Sequence, residues 1–550
     1  MLGFEFLEIV RQRFVRVLVL LGLLSLVYFS GLKSPLSEVH WDVPIYLYQA
    51  KLAVETPLLQ SYSRNSNEIA DQVRSQRFSD DEGFPEAYWH FSRLGNSLLL
   101  GLVAYGVRDG VRTIMVASWV YTGLLAISLV LSVLLIRSLG SLLYPAQSRR
   151  ILDVGAVISV GLYVGSDIYR YLSGNLVSEV PALLLLIGGM LSFVKASEKT
   201  SLAWSVVSGC IAFLLYVVRL ESLWTYLAGV GLLAVFLRWR ARRYFSYAII
   251  AGSAGCFCVL YGFYTWQFYP LADPSLFLSF GKIQRHVHYG TFPLKLMIAS
   301  GGLLWVSALL SVRHVEGSPV VQFALAWLAL QFVPFTIGAI AGMPSQTRMY
   351  SLAMPTLMIL STQGITGLIE HPVRSATRMV IGLTIAAILL VSNPLLQPAL
   401  RFLPGIWRLD EARSYFALPK YEKVTYPIGD LAQISRLIYG ATVPMVLVRD
   451  ESIPQEYANL IRYFGPRHAV TNDLSLFDDP TNGGDCKKKV LRRPQEPVVF
   501  CTKLNVGDVI ASSGRRVILM TDKKNQIQIP MQRITLMETE DLLISELKPR

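Results

Sequence analysis

Charge is what this 550-residue chain has least of. Asp, Glu, Lys and Arg make up 16% of it against 53% hydrophobic residues, whereas soluble domains carry roughly 25% charged residues. A deficit of that size, with apolar runs of about twenty residues recurring along the chain, excludes a soluble globular protein and requires a polytopic helical membrane protein. Histidine and cysteine are scarce too, at seven and five residues. No His/Cys cluster has zinc spacing, which excludes a zinc module. Cys210, Cys256 and Cys258 lie in apolar runs and read as small core residues. Cys486 and Cys501 lie in a polar C-terminal region, where an extracytoplasmic location makes a disulfide between them plausible chemistry. There is no Asn-x-Ser/Thr acceptor site, which favours a bacterial inner membrane over an endoplasmic reticulum. The net charge of +13 points first to nucleic acid. No basic stripe with interleaved aromatics exists on a soluble stretch, however, so nucleic acid is excluded. The basic residues cluster instead in short loops between apolar runs, as cytoplasmic loops facing anionic lipid do.

The apolar runs and the basic loops together predict a topology. Arg11, Arg13 and Arg16 precede an apolar run that ends near Leu32, and Ser30-Gly31-Leu32 is a poor cleavage site. The segment reads as an uncleaved first span leaving the cytoplasm. The first outer loop, 33–110, begins Glu38-Val39-His40-Trp41-Asp42. Within it, Trp41–Leu59 and Leu94–Val107 suit interfacial helices, the second being too short for a core that needs roughly twenty residues. Spans then follow at Val111–Ile136, Ile151–Gly165, Val177–Val194, Leu202–Val218, Leu223–Leu237, Tyr247–Phe263, Leu294–Leu310, Val320–Ile340, Met349–Ile369 and Ile381–Leu396. That makes about eleven transmembrane helices in a domain covering 1–400, with Arg137, Lys195, Arg238 and Arg313 on the cytoplasmic side. No internal repeat suggests inverted halves.

Residues 401–550 shift to a soluble composition. Ala441–Val448, Val498–Cys501, Arg516–Thr521 and Ile527–Ile529 read as strands and Pro454–Phe464 as an amphipathic helix, giving a small extracytoplasmic α/β domain.

On this topology several ionisable groups meet at one membrane face. They are Asp42 and Glu38 after the first span, Asp167 and Glu179 at span ends, and Arg219 with Glu221 where the fifth span emerges. Lys282, Arg285, His286 and His288 share one outer loop, and Arg348 and Tyr350 open a late span. Such groups are costly in a membrane, and each carries a functional hypothesis. A bland reading stands beside each: an acidic loop capping a helix, Arg219 pairing only with Glu221, Arg348 snorkelling.

The ordered set resembles the GT-C glycosyltransferases, above all the bacterial relatives of protein O-mannosyltransferases and lipid A aminoarabinose transferases. The resemblance rests on His40-Trp41-Asp42 in the first outer loop and on the interfacial helices after it. It rests also on Arg219-Leu220-Glu221, and on Arg348-Met349-Tyr350 followed by Pro355. It covers about the first 400 residues. The family often has a second carboxylate beside the first; here Val43 follows Asp42, leaving Glu38 and Asp167 as candidates for that place.

The resemblance implies transfer of one sugar from a polyprenyl phosphate to a glycan, lipid or protein acceptor outside the cytoplasm. Asp42 would be the base that takes the acceptor's proton, with Glu38 in reserve. Arg219 and Arg348 would hold the departing phosphate, with Lys282 and Arg285 in reserve. A divalent metal is the one cofactor left open, with His40, His286 and His288 as candidate ligands. Two rival classes remain: a polysaccharide polymerase or ligase of another fold, and a lipid-linked sugar transporter without enzymatic activity.

Overall fold

The computed structural model describes residues 94–173, 175–237, 302–340, 347–370 and 427–441, together with 445–449, 455–465, 498–501, 516–523 and 531–548. It also describes a few positions in 43–51, 247–255 and at 453. The expected spans at Val15–Leu32 and Ile381–Leu396, most of Tyr247–Phe263, the outer loop 264–293, the boundary at 400/401 and the strand at Ile527–Ile529 lie outside the described residues. Packing divides the chain into two units.

Among the described residues the first unit is a bundle of helices. Its main helices are α3 (Arg149–Val164), α4 (Asp167–Leu172), α5 (Glu179–Lys199), α6 (Leu202–Val218), α7 (Leu220–Phe236), α8 (Gly302–Ser311), α9 (Pro319–Ile340) and α10 (Met354–Glu370). A 3-10 helix, Thr347–Ala353, runs directly into α10. Two helices precede these: α1 (Leu94–Val107), whose Leu94 and Gly95 belong to this unit, and α2 (Gly110–Leu143), which belongs to it from Ser118 onward. Three stretches are long and apolar enough to cross a membrane: Gly110–Leu143, Glu179–Lys199 and Tyr350–Ile369. Leu202–Val218, Glu221–Phe236 and Pro319–Val333 are shorter apolar helices. The expected spans at 151–165, 177–194, 202–218, 223–237, 320–340 and 349–369 all fall on helices. The structure corrects Met349–Ile369 at its start, where the backbone is 3-10 through Ala353. α1 has 14 residues, about 21 Å at 1.5 Å per residue, short of a hydrocarbon core of about 30 Å.

Lipid offers no hydrophobic drive for one helix to leave it for another, so small residues and interhelical hydrogen bonds hold such bundles together. Both are present. A Cβ on Gly364 of α10 would stand 1.8 Å from the Ser307 carbonyl oxygen of α8, so the two backbones touch. Ser159 of α3 donates to Ser361 of α10 at 2.9 Å and accepts from Thr362 at 3.1 Å. Trp327 of α9 donates its indole N–H to the Thr225 carbonyl of α7 at 2.8 Å.

The second unit contains the C-terminal α/β fold. Helix α11 (Ile428–Tyr439) is followed by β1 (Met445–Arg449), α12 (Gln455–Phe464), β2 (Val498–Cys501), β3 (Arg516–Asp522), β4 (Gln532–Glu538) and β5 (Leu542–Lys548). The sheet order is β2-β1-β3-β5-β4, with β1 parallel to β2 and β3, and β5 antiparallel to β3 and β4. β3 is central and buried over Val517–Asp522, an unbroken run of the kind strands covered on both faces carry. β4 is an edge, and most of its side chains are exposed or half-exposed. The sequence reading stopped short of the β4–β5 hairpin. Its alternation of Glu, Thr and Ser with apolar residues looks solvated; β5 pairs with β3 and is largely buried, whereas β4 pairs with β5 at the edge.

Val43, Tyr46, Leu47 and Ala50 of the first loop belong to this unit. They are helical and fully buried at spacings of three and four, one stripe of a helix. An interfacial helix was expected over Trp41–Leu59, with its apolar stripe in lipid; in the structure the stripe packs on protein. Lys51 donates to the carbonyls of Tyr463 at 2.8 Å and Gly465 at 2.5 Å, satisfying the C-terminal end of α12 where a cation is favoured. Burial pushes the Tyr463 phenol well above its ordinary pKa, the Asp109 carboxylate adds to the shift, and a hydrogen bond with Thr113 opposes it.

Candidate functional site

α6 and α7 are joined by one residue, Arg219, in an extended conformation with φ −167° and ψ 114°. Its backbone is satisfied on both sides. The Arg219 N–H donates to Leu215 O at 2.7 Å, and its carbonyl accepts from the Ser222 N–H at 3.1 Å and the Ser222 hydroxyl at 2.5 Å. A helical hairpin with so short a joint fixes its side chain closely.

That side chain reaches the start of α5. Arg219 Nη1 lies 2.8 Å from Glu179 Oε1 and donates to Ser178 Oγ at 3.1 Å. Its Nε lies 3.5 Å from Glu221 Oε2. The Glu179 and Arg219 side chains are 0% and 1% exposed, and Glu221 is 33% exposed. The helix ends favour the two glutamates, which sit in first turns where the macrodipole is positive; Arg219 closes α6, whose end favours a cation, and caps α7, whose start does not. An isolated charge buried this deeply is untenable, and pairing is what lets the group stay inside.

The neighbouring elements bring the other candidates of the bundle to the same end. The 3-10 helix Thr347–Ala353, carrying Arg348 and Tyr350, packs on α4 and on α5. α4 opens with Asp167, and its cap residue Ser166 accepts from the Tyr169 N–H at 3.1 Å. Tyr350 is fully buried. Asp167, Glu179, Arg219, Glu221, Arg348 and Tyr350, spread over nearly 200 positions, therefore lie on elements joined by packing: the 3-10 helix touches α4 and α5, and α5 touches α6 and α7. Ser178 belongs with them and was not expected. Its signal was present in Ser178-Glu179-Val180-Pro181, a small hydroxyl residue, an acid and a proline opening a helix. Tyr163 and Tyr169 line the same region edge to face, with ring centroids 5.6 Å apart. Both are fully buried.

Asp42, Glu38, His40, Lys282, Arg285, His286, His288 and Cys486 lie outside the described residues. Cys501 closes β2. Among the described residues, no group of three or more His, Cys, Asp or Glu is placed to hold a metal ion.

No protein-family model matches this chain, and no curated protein does. Among solved structures the chain is similar to ArnT from Cupriavidus metallidurans. In the apo state, identity is 11%, coverage 88% of this chain and 92% of that one, and TM-score 0.42. In the structure bound to undecaprenyl phosphate, identity is 11%, coverage 96% and 97%, and TM-score 0.45. The chain is also similar to an oligosaccharyltransferase from Archaeoglobus fulgidus tethered to an acceptor peptide, at 12% identity, 92% and 69% coverage and TM-score 0.41. At such identities no residue correspondence carries over.

Proposed function

We propose that this chain is a GT-C-type membrane glycosyltransferase that moves one sugar from a polyprenyl-phosphate donor to an acceptor on the extracytoplasmic face. The observation that carries the reading is the buried Glu179–Arg219–Glu221 cluster at the N-terminal end of α5, with the Arg348 element packed beside it. A membrane protein keeps a charged cluster inside an apolar bundle where a charged or polar substrate must be met.

Asp42 accepts the proton that the acceptor hydroxyl or amine loses as it attacks the anomeric carbon, with Glu38 and Asp167 as the candidates for a second carboxylate. The bond from that carbon to the phosphate oxygen breaks as the new bond forms, so a single displacement inverts the centre. Negative charge builds on the departing lipid phosphate, and arginines held in place stabilise it. Arg348 carries the larger part, because Arg219 is already engaged by two carboxylates. The buried first-loop stripe at 43–50 and its Lys51 contact with α12 support a tail domain on the same side as Asp42, outside the cytoplasm.

The test is transfer by the purified full chain in lipid, from a polyprenyl-phosphate monosaccharide. Asp42→Asn keeps the shape and removes the base, so kcat should fall by about 10²-fold or more while folding is unchanged. Arg348→Ala should raise the donor KM. Near wild-type kcat in a folded Asp42→Asn protein rules out that base, and no transfer from any such donor by the wild type rules out the reaction.

A further inference from the structure

We propose that the opposite end of the bundle binds the phosphate headgroup of an anionic glycerophospholipid. A cavity of about 1110 Å³ opens there among the ends of α2, α5 and α7 and the starts of α3, α6 and α9. It is remote from the buried Arg219 cluster. Lys195 stands 16 positions after Glu179 on the same helix, about 24 Å along it at 1.5 Å per residue. The wall is basic. Arg137, Arg149, Lys195 and Lys199 line it against one acid, Glu198. Two of the four cations are committed: Arg137 lies 3.6 Å from Asp153, and Lys195 lies 2.8 Å from Glu198. Arg149 and Lys199 form no ion pair among the described residues, and both are exposed.

The rest of the wall decides the ligand class. Leu191, Trp204 and Phe236 line the same space, and Leu134 and Trp204 are 41% and 38% exposed. A free anion has no use for an apolar floor, whereas a headgroup that carries acyl chains needs one beside its phosphate. Trp204 lies near the start of α6, where tryptophan marks a membrane–water boundary. A basic pocket between helix ends at that depth suits an anionic headgroup. The volume lies just above the range of small-molecule sites, about 300–1,000 Å³, enough for a headgroup with the first part of its chains.

The experiment uses the full chain reconstituted in phosphatidylcholine bilayers with and without phosphatidylglycerol, then extracted in mild detergent. Lipids retained by the protein are quantified by mass spectrometry. Wild type should retain phosphatidylglycerol in preference to phosphatidylcholine. R149Q/K199Q should cut that enrichment about thirtyfold, as the loss of two cationic contacts implies. R150Q/R313Q removes two bases that do not line the cavity and should leave the enrichment unchanged. Should the double variant fold poorly, R149Q and K199Q alone should each give part of the loss. Equal retention by wild type and R149Q/K199Q overturns the site, as does an equal loss in R150Q/R313Q. Inorganic phosphate that displaces the lipid or matches its thermal stabilisation overturns the assignment to a lipid. None of these readouts depends on sugar transfer, so the site stands or falls apart from the proposed reaction.

Discussion

Removing Glu179 alone should damage this protein more than removing Glu179 and Arg219 together. The two side chains are 0% and 1% exposed and lie 2.8 Å apart. Breaking a buried ion pair from one side costs about 3–5 kcal/mol, because the partner charge stays inside uncompensated. The geometry places each single variant within that range. Glu179→Ala leaves Arg219 with Ser178 at 3.1 Å and with Glu221 at 3.5 Å. That carboxylate is one-third exposed and water screens it, so the loss should fall near about 3 kcal/mol. Arg219→Ala removes the guanidinium 2.8 Å from the fully buried Glu179 carboxylate and should cost about 3–5 kcal/mol as well.

Replacing both by apolar residues of similar volume, Glu179→Leu with Arg219→Met, removes the desolvation penalty along with the attraction. The double variant should regain most of the stability. It should therefore be more stable than either single variant by about 2 kcal/mol or more. Tryptophan fluorescence during detergent-denaturant titration of the full chain in mixed micelles compares wild type, the two single variants and the double. At about 1.4 kcal/mol per factor of ten, the Glu179→Ala loss is roughly a hundredfold shift in the folding equilibrium. Stability within about 0.5 kcal/mol of wild type for Glu179→Ala, or a double variant no more stable than the single ones, would refute the account of this cluster. Activity separates its two roles, since the double variant should fold and still transfer poorly.

Gly364→Ala puts a methyl 1.8 Å from the Ser307 carbonyl oxygen. α8 and α10 must then part, at about 1–3 kcal/mol by the same titration; an unchanged midpoint would show that the helices are not in backbone contact. In the tail, Arg516 grips Glu546 with two parallel hydrogen bonds, at 2.8 and 2.9 Å. The hydrogen bond from Arg516 holds the Glu546 carboxyl below its ordinary pKa, burial opposes this, and the charges of Arg516 and Lys548 add to it. A depressed folded pKa stabilises above the unfolded value, about 4.3, and that contribution is lost as pH falls through the folded value. Arg516 is 38% exposed, so screening keeps the effect below about 1 kcal/mol. Hydrogen exchange of the β3 and β5 amides, corrected for its intrinsic pH dependence, should loosen on acidification in wild type and less so in Glu546→Gln; parallel curves would remove the pair from the stability of the sheet.

The parts legible in the sequence are those set by one-dimensional patterns. Apolar length gave α3, α5, α6, α7 and α9 nearly to their ends, because a membrane leaves the backbone no other way to satisfy its hydrogen bonds. The parallel strands β1, β2 and β3 were legible as short apolar runs rich in β-branched residues. β4 and β5 were not: their polar alternation looks solvated, and only the place of β5 beside β3 buries it, while β4 stays an exposed or half-exposed edge. Asp167, Arg219 and Arg348 were expected at one membrane face, and the structure links by packing the elements that carry them. The partner of Arg219 was not readable in the same way. Glu221, two residues away, is the local choice, but the contact at 2.8 Å is Glu179, forty positions earlier. Sequence spacing ranks neighbours along one helix; only packing of α5 against the α6–α7 hairpin decides between them.

That choice bears on how a phosphate could be held. With both carboxylates ionised, the Glu179–Arg219–Glu221 cluster carries two negative charges against one positive, and a lipid phosphate brings more negative charge. Arg219 alone therefore cannot attract it. Two arrangements resolve the conflict. In one, Glu221, the exposed member at 3.5 Å, turns out to water and frees Nε for the phosphate, while Glu179 keeps the guanidinium aimed. In the other, Arg219 never leaves its carboxylates and only fixes the hairpin against α5, so that Arg348 binds the phosphate. Glu221→Gln distinguishes them. In the first arrangement it relieves competition for Nε and lowers the donor KM; in the second, donor affinity depends on Arg348 and the same change leaves KM where it was. A KM that rises in Glu221→Gln would contradict both and place that carboxylate on the sugar rather than on the arginine.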